Sequence, residues 1–451
     1  LHLSLRRQRQ MCIRDRFSVL IFSVFAIPTL SNFELKTNPN ETLVIPFTTF
    51  TEKVELAYGL DEYDENAVIQ PPLPEVVPFW VDLVDADLVP NDGKGVYIAV
   101  LDTGLLSSWP YFFSEANIAW ELGKGFTHDI WWDDSVGGFV VGPLRDDRGF
   151  ITDDYMGSGH GTHVVSTIVG YNFFDQFWVR GVAPKATIIP VLVLDAWNVS
   201  YPGGYALFTG GFYDMVAAGI YYVADLADSL DGPVIISMSL GGPSPAPIIE
   251  EAINYAISKG VIVVASAGNE GYAGMGWPGA YPQVISCGMV GWTEQFVGGS
   301  SWWLRDVPEK LNTKDYWGNN WQLFLDDISS RPNKTLGQRP KDLDLVTPGA
   351  AILGPYKPYF SYDVGYYYLW GTSMAAPHVS GITALILQSN PNINQYEVEK
   401  LLKQAAHGNP LPCDGSWAWD PWYGVYHFEW YGTDYGAGFL TADDALGCVK
   451  Y

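Results

Sequence analysis

Four stretches of this chain run apolar with no polar alternation, and they narrow the folds open to it more than any other feature. They occupy residues 95–104, 186–194, 233–240 and 261–267. A strand with one face in water alternates apolar and polar side chains. An unbroken run belongs to a strand covered on both faces, as in a parallel sheet. Helical periodicity fills the segments 160–169, 212–226 and 247–258, the last opening on Pro247, a residue suited to a first helical turn. Another helix is marked by Asn394 with Glu397 three positions on, ending near Ala406. This alternation predicts an α/β fold: a doubly wound, mostly parallel central sheet with right-handed crossovers and helices on both faces.

The chain has 451 residues, of which 48% are hydrophobic and 17% charged, enough for one large α/β domain with a sizeable core. Pro71, Pro72, Pro74 and Pro78 form a stiff linker. The expected organisation is a leader over 1–31, a short N-terminal extension or propeptide remnant over 32–74, and a folded domain over 75–451. The first 16 positions of the leader resemble translated linker sequence. The apolar run 17–30, behind Arg14 and Arg16, is too short for a comfortable membrane span and right for a secretory signal. Secretion with no stable membrane partner is the expectation, and Asn-x-Ser/Thr triplets at Asn40, Asn198 and Asn333 agree with export.

A formal net charge of −25 argues against nucleic acid as a partner, because neutralising phosphates needs clustered Lys and Arg. The four cysteines carry little catalytic signal. Cys12 lies in the leader and Cys287 in an apolar run, where it reads as a buried thiol. Cys413 and Cys448 flank a late aromatic loop; in an oxidising compartment they could pair or remain free.

Ligands of doubly wound sheets sit beyond the carboxyl ends of the strands. Asp102, Ser239 and Asn269 each fall at or just past the end of an apolar run. Gly157-Ser-Gly-His160 is a glycine-rich turn delivering a histidine to a helix start, and Gly371-Thr-Ser373 presents a serine just before the apolar run 379–387. Each has an ordinary explanation taken singly: a helix cap for Ser373, a core or capping histidine for His160, a turn for Asp102. Together they supply a nucleophile, a base to take its proton and a carboxylate to orient the base. Asn269 adds a side-chain amide, and the Ser373 N–H a backbone donor, for the negative oxygen such an attack creates.

The motifs Ala99-Val-Leu-Asp102-Thr-Gly104, His160-Gly-Thr-His163, Gly181-Val-Ala-Pro184, Ser237-Met-Ser-Leu-Gly-Gly-Pro243, Ala265-Ser-Ala-Gly-Asn269-Glu-Gly271 and Gly371-Thr-Ser-Met-Ala375 stand in one order over roughly residues 76–446. In these the chain resembles the subtilisin-like serine proteases, the peptidase S8 or subtilase family. The resemblance implies a secreted endopeptidase that cuts polypeptides through an acyl-enzyme on Ser373. It implies His160 and Asp102 as its triad partners and Asn269 as oxyanion donor. Ser239, Leu240 and Gly241 are then the strand along which substrate lies, and Ala265, Ser266, Ala267 and Gly268 the other wall of the pocket before the cut. A cis bond is implied at Tyr281-Pro282. The chemistry requires no cofactor; structural Ca²⁺ is compatible with the family but its sites are unassigned, and the oligomeric state is not implied.

Departures accompany the likeness. Val165 and Ser166 are bulkier than the pair usual after the histidine motif. Extra length falls at 119–155 and 292–345, both rich in Trp and Asp and expected to be surface loops. Asp133, Asp134, Asp146, Asp147, Asp153 and Asp154 offer oxygen ligands there without a regular calcium-loop spacing. The segment 32–74 is short for a folding propeptide. Three other readings compete. A non-hydrolytic peptide-binding protein of the same fold would normally lack a triad member. An α/β-hydrolase esterase needs Gly-x-Ser-x-Gly and a histidine after the serine, but residue 375 is Ala and His160 comes first. A sedolisin-like acid peptidase needs a glutamate base where His160 stands.

Overall fold

The computed structural model describes residues 53–59, 73–152, 158–358, 364–411 and 415–448. Strand β1 (Lys53–Gly59) comes first, followed by the short helix α1 (Phe79–Asp82) and by β2 (Tyr97–Asp102), which is the first apolar run. A short β3 (Lys124–Gly125) leads into a hairpin of β4 (Thr127–Asp133) and β5 (Gly138–Arg145). Helix α2 (His160–Val169) and β6 (Thr187–Leu192) follow, then a second hairpin, β7 (Asp195–Tyr201) and β8 (Gly204–Gly210), and helix α3 (Tyr213–Ala227). The chain continues through β9 (Val234–Met238), α4 (Pro247–Ser258), β10 (Ile262–Ser266) and β11 (Ile285–Trp292). Strands β12 (Leu323–Leu325) and β13 (Leu345–Pro348) precede the hairpin of β14 (Ile352–Tyr356) and β15 (Gly365–Trp370). Helices α5 (Thr372–Ser389) and α6 (Gln395–His407), the hairpin of β16 (Ser416–Asp420) and β17 (Gly424–Phe428), and α7 (Ala442–Gly447) complete it.

All four apolar runs are strands of one eight-stranded sheet, ordered β12-β11-β10-β9-β2-β6-β3 with β13 also paired to β11. Every neighbour is parallel except β11 with β12. The sheet divides the core. Ile98 and Val100 of β2, Ile235 of β9 and Val264 of β10 face one half, with Val164 and Ile168 of α2 and Val379, Ile382 and Ile386 of α5. Ala99 and Leu101, Ile236 and Met238, and Val263 face the other, with Val216 and Ile220 of α3 and Ile249 and Ile253 of α4. Burial on both faces is why these strands carry no polar alternation. The fold is the doubly wound α/β arrangement expected. From β2 the chain moves to β6 on one side and later to β9 on the other, so the strand order reverses at β2 and opens a crevice at its carboxyl end.

Two local expectations need correction. The insert 292–345 is not only surface loop. Trp302 and Trp303 are each 1% exposed, with Trp302 against Phe79 (centroids 5.1 Å apart) and Trp303 stacked on Trp80 (5.9 Å). Indoles of this size bury large areas, and α1 gives them a surface to cover. The cis peptide lies at Trp277-Pro278, not at Tyr281-Pro282; both are X–Pro bonds, and the tertiary amide at either position lowers the preference for trans, so composition does not choose between them.

The acidic residues near 119–155 are largely spoken for. Lys124 pairs with Asp146 at 2.9 Å, and Arg145 bridges Asp129 and Asp147. Among the described residues no group of three or more His, Cys, Asp or Glu is gathered for a metal ion. Asp153, Asp154, Asn40 and Cys413, with the proposed Cys413–Cys448 pairing and the leader, lie outside the described residues. Among the described residues no helix is long and apolar enough to cross a membrane. Within the segment 32–74, β1 pairs antiparallel with β15, running from Lys53 opposite Trp370 to Gly59 opposite Gly365.

Candidate active site

The crevice at the end of β2 gathers its polar groups from four elements. Asp102 is the last residue of β2 and wholly buried. Its Oδ1 accepts from the Thr103 N–H at 2.7 Å and from His160 Nδ1 at 2.7 Å. The second contact fixes the imidazole as the tautomer with its proton on Nδ1, which leaves Nε2 as the basic nitrogen.

His160 opens α2, and the strand holds that helix start closely. Gly161 N–H donates to Thr103 Oγ1 (2.9 Å), which donates to the Ser158 carbonyl (2.9 Å), while Leu106 N–H donates to Thr162 Oγ1 (2.9 Å). Gly161 has no side chain for a steric reason: a Cβ there would lie 2.3 Å from the Gly104 carbonyl oxygen. One turn on, His163 is fully buried, and its Nε2 lies 3.1 Å from the Ile352 carbonyl and 3.3 Å from that of Tyr367. Burial, helped by the nearby His160, pushes its pKa down to about 3, so it stays neutral and acts as a tether between α2 and the β14–β15 hairpin. The bulk of Ser166 is accommodated at Gly354, where a Cβ would sit 2.5 Å from Ser166 Oγ.

Ser373 is the second residue of α5, which β15 feeds directly through Gly371. The serine is buried, and its Oγ donates to the Ser239 carbonyl at 3.3 Å. Ser239 Oγ in turn donates to the Ser373 carbonyl at 2.7 Å, joining the end of β9 to the turn that carries Ser373. Helix α5 packs against α2 across the same half of the core, so serine and imidazole stand at the starts of two adjoining helices.

Asn269 lies three residues past β10. Its Oδ1 accepts from Thr372 N–H (2.9 Å) and Thr372 Oγ1 (3.0 Å), and Gly268 N–H donates to Thr372 Oγ1 (3.0 Å). With the oxygen held so, the amide nitrogen points elsewhere: Nδ2 is buried and has no protein partner. A buried unpaired donor costs about 1–3 kcal/mol, a cost tolerated where an acceptor arrives during function. Gly268, at φ +106°, holds a conformation that only glycine adopts readily.

Of the remaining predicted wall residues, Ser239, Leu240 and Gly241 leave β9 in sequence and are all buried. Ala265 and Ser266 belong to β10 itself, and Ala265 is paired to Met238 on one side and Ser286 on the other. Ala267 and Gly268 stand past its end, next to Gly276, whose N–H donates to the Ala267 carbonyl at 2.9 Å. The structure thus joins Asp102 to His160, Ser373 to Ser239, and Asn269 to the residue before Ser373. Sequence reasoning missed Thr372 and Thr103. Both sit inside quoted motifs, but a threonine hydroxyl that locks a neighbouring loop leaves no periodic or compositional trace.

Comparison with known proteins gives the family. Residues 93–420 match the profile of the Subtilase family of S8 peptidases. The chain is 35% identical over 301 residues to the major intracellular serine protease of Bacillus subtilis (strain 168), covering 65% of this chain and 69% of that protein. To M-protease of Shouchella clausii (strain KSM-K16) it is 28% identical over 360 residues, 79% of this chain and 71% of the relative. Among solved structures, Sphericase aligns with a TM-score of 0.55 and 27% identity over 82% of this chain and 99% of its own.

Proposed function

The chain belongs to the subtilase family and is a serine-type endopeptidase; from that premise we propose that Asp102, His160 and Ser373 are its triad and Asn269 its side-chain oxyanion donor. The observation that carries the reading is the 2.7 Å contact of Asp102 Oδ1 with His160 Nδ1 at the mouth of the crevice. The unpartnered Asn269 Nδ2 supports it from the other side.

In this mechanism the Ser373 hydroxyl leaves the Ser239 carbonyl and gives its proton to His160 Nε2 as Oγ attacks the scissile carbonyl carbon. Asp102 holds the ring and stabilises the imidazolium. The carbonyl oxygen, now negative, accepts from Asn269 Nδ2 and the Ser373 N–H at the start of α5, where the helix dipole also favours negative charge. His160 then hands the proton to the leaving amine, which departs and leaves an acyl-enzyme on Ser373. Water attacks the ester with His160 again as base and releases the acid. The polypeptide lies extended along Ser239, Leu240 and Gly241, pairing backbone to backbone, with Ala265, Ser266, Ala267 and Gly268 as the opposite wall. The apolar run 17–30 behind two arginines supports secretion.

A fluorophosphonate probe tests the triad. The folded protein is expected to label, with the adduct on Ser373, and Ser373→Ala is expected to abolish labelling and lower kcat by on the order of 10⁶, the size of loss measured in subtilisin itself. A folded sample that does not label refutes the assignment.

A further inference from the structure

The loop 326–331, inside the long insert, closes around one buried cation. Arg331 is 2% exposed, and its Nη1 donates to the carbonyls of Asp326 (2.9 Å), Asp327 (2.9 Å) and Ser329 (2.5 Å). Three carbonyls turned onto one guanidinium nitrogen fix the curl of the loop. The rest of the group faces outward from that curl. Its Nε stands 3.9 Å from Asp434 Oδ2, and its Cζ lies 4.9 Å from the ring centroid of Tyr272. Tyr272 OH (2.7 Å) and Tyr431 N–H (2.9 Å) both donate to that same carboxylate oxygen. Nε and Nη2 themselves have no hydrogen-bond partner, so the buried guanidinium is held by the Nη1 bonds, the ring contact and the charge of Asp434.

The curled loop runs beside residues 268–271 and grips them. Ser330 N–H donates to the Gly268 carbonyl, Gly271 N–H to the Ile328 carbonyl, and Arg331 N–H to the Gly271 carbonyl, each at 2.9 Å. Ser330 Oγ accepts from Glu270 N–H at 3.0 Å and donates to Glu270 Oε2 at 3.1 Å. Asn269 is in the middle of this gripped stretch. Thr372 holds its oxygen from the Ser373 side, and the 326–331 loop holds the backbone of its neighbours Gly268, Glu270 and Gly271 from the other. We propose that Arg331 is a positioning residue for Asn269: its guanidinium fixes the loop that aims the oxyanion donor, without touching substrate.

The inference rests on Asn269 being that donor, and a double-mutant cycle separates the two claims. Arg331→Met, Arg331→Lys and Asn269→Ala are made singly, the first two also in the Asn269→Ala background, and kcat and KM are measured with a peptide substrate. Arg331→Met is expected to lower kcat roughly 10- to 100-fold with KM changed less than about threefold, as for a donor displaced by under an ångström. Arg331→Lys, which keeps a cation for the carbonyls, is expected to recover part of the loss. In the Asn269→Ala background either substitution should change kcat by less than about threefold. Equal losses in both backgrounds, or a loss confined to KM, overturn the proposal. Asn269→Ala with wild-type kcat overturns the donor reading itself, a result visible before any Arg331 variant is made. Should Arg331→Met fail to fold, Tyr272→Leu, which removes the ring from beside the guanidinium at a half-exposed position, runs the same cycle with a smaller expected loss and the same criterion.

Discussion

At the scale of single residues, the crevice depends on backbone approaches that leave no room for side chains. Gly161 is the sharpest case, since a methyl there would press on the Gly104 carbonyl at 2.3 Å, beside the Asp102–His160 contact. Gly161→Ala is therefore expected to cost about 1–3 kcal/mol of stability through overpacking. It should also lower kcat/KM by roughly 100-fold, because the start of α2 moves relative to β2. Thermal unfolding and steady-state kinetics on one preparation check both. The glycines of the histidine and serine turns were legible, since their motifs name them. What could not be read was which hydroxyl meets which loop. Thr372 with Asn269, and Ser330 with Glu270, span 103 and 60 positions, and only folding decides which of many threonines and serines is used.

Among elements, the strands and helices of the sheet were readable because their patterns match their burial. The capping box at α6 shows the same correspondence, with Asn394 Oδ1 accepting from Glu397 N–H at 3.1 Å and Glu397 Oε2 from Asn394 N–H at 2.9 Å. The contact of α1 with α7 was not readable. There Ala442 N–H donates to the Val84 carbonyl at 2.7 Å and brings acidic side chains together. Burial first, then the charge and hydrogen bond of Asp443, with Asp82 and Asp87 adding to them, push the Asp85 carboxyl up to about 7 from its usual 3.8. A carboxyl raised by folding is stabilising while protonated. Its contribution is complete below about pH 3.8 and is lost as pH rises through about 7. Asp85→Asn keeps the group neutral, and asparagine suits the left-handed φ of 54°. The variant is expected to match the wild type near pH 4 and exceed it by roughly 1–2 kcal/mol at pH 8, a figure reduced for partial exposure. Denaturant melts at the two pH values test it; an equal effect at both rejects the account.

Over the whole molecule, distant segments converge on the β14–β15 hairpin that leads to Ser373. Strand β1 pairs with β15, the 292–345 insert adds Trp302 and Phe296, and Phe296 stacks parallel on Trp370 with centroids 6.0 Å apart. Phe79 of α1 stacks on Trp292 (5.5 Å) and also meets Trp302. Removing the Trp302 indole leaves a cavity where three chain segments meet, and Trp302→Ala is expected to cost about 3–5 kcal/mol in equilibrium unfolding. A loss under 1 kcal/mol would mean that the insert is a surface loop after all. Tryptophan richness in the insert was plain from composition, but composition does not tell an indole in water from one in the core. Likewise, nothing local in residues 53–59 pointed to a partner more than 300 positions away.

The helix carrying Ser373 has no outer face: every residue from 372 to 387 is buried. Past its first turn, amide protons exchange with solvent only when the molecule as a whole opens, so the helix that carries Ser373 belongs to the last part of the fold to yield. Heat inactivation and loss of secondary structure should then follow a single curve. A second copy of the enzyme should likewise find cleavable chain at the hairpin tips long before it reaches the helix on which its own catalysis depends.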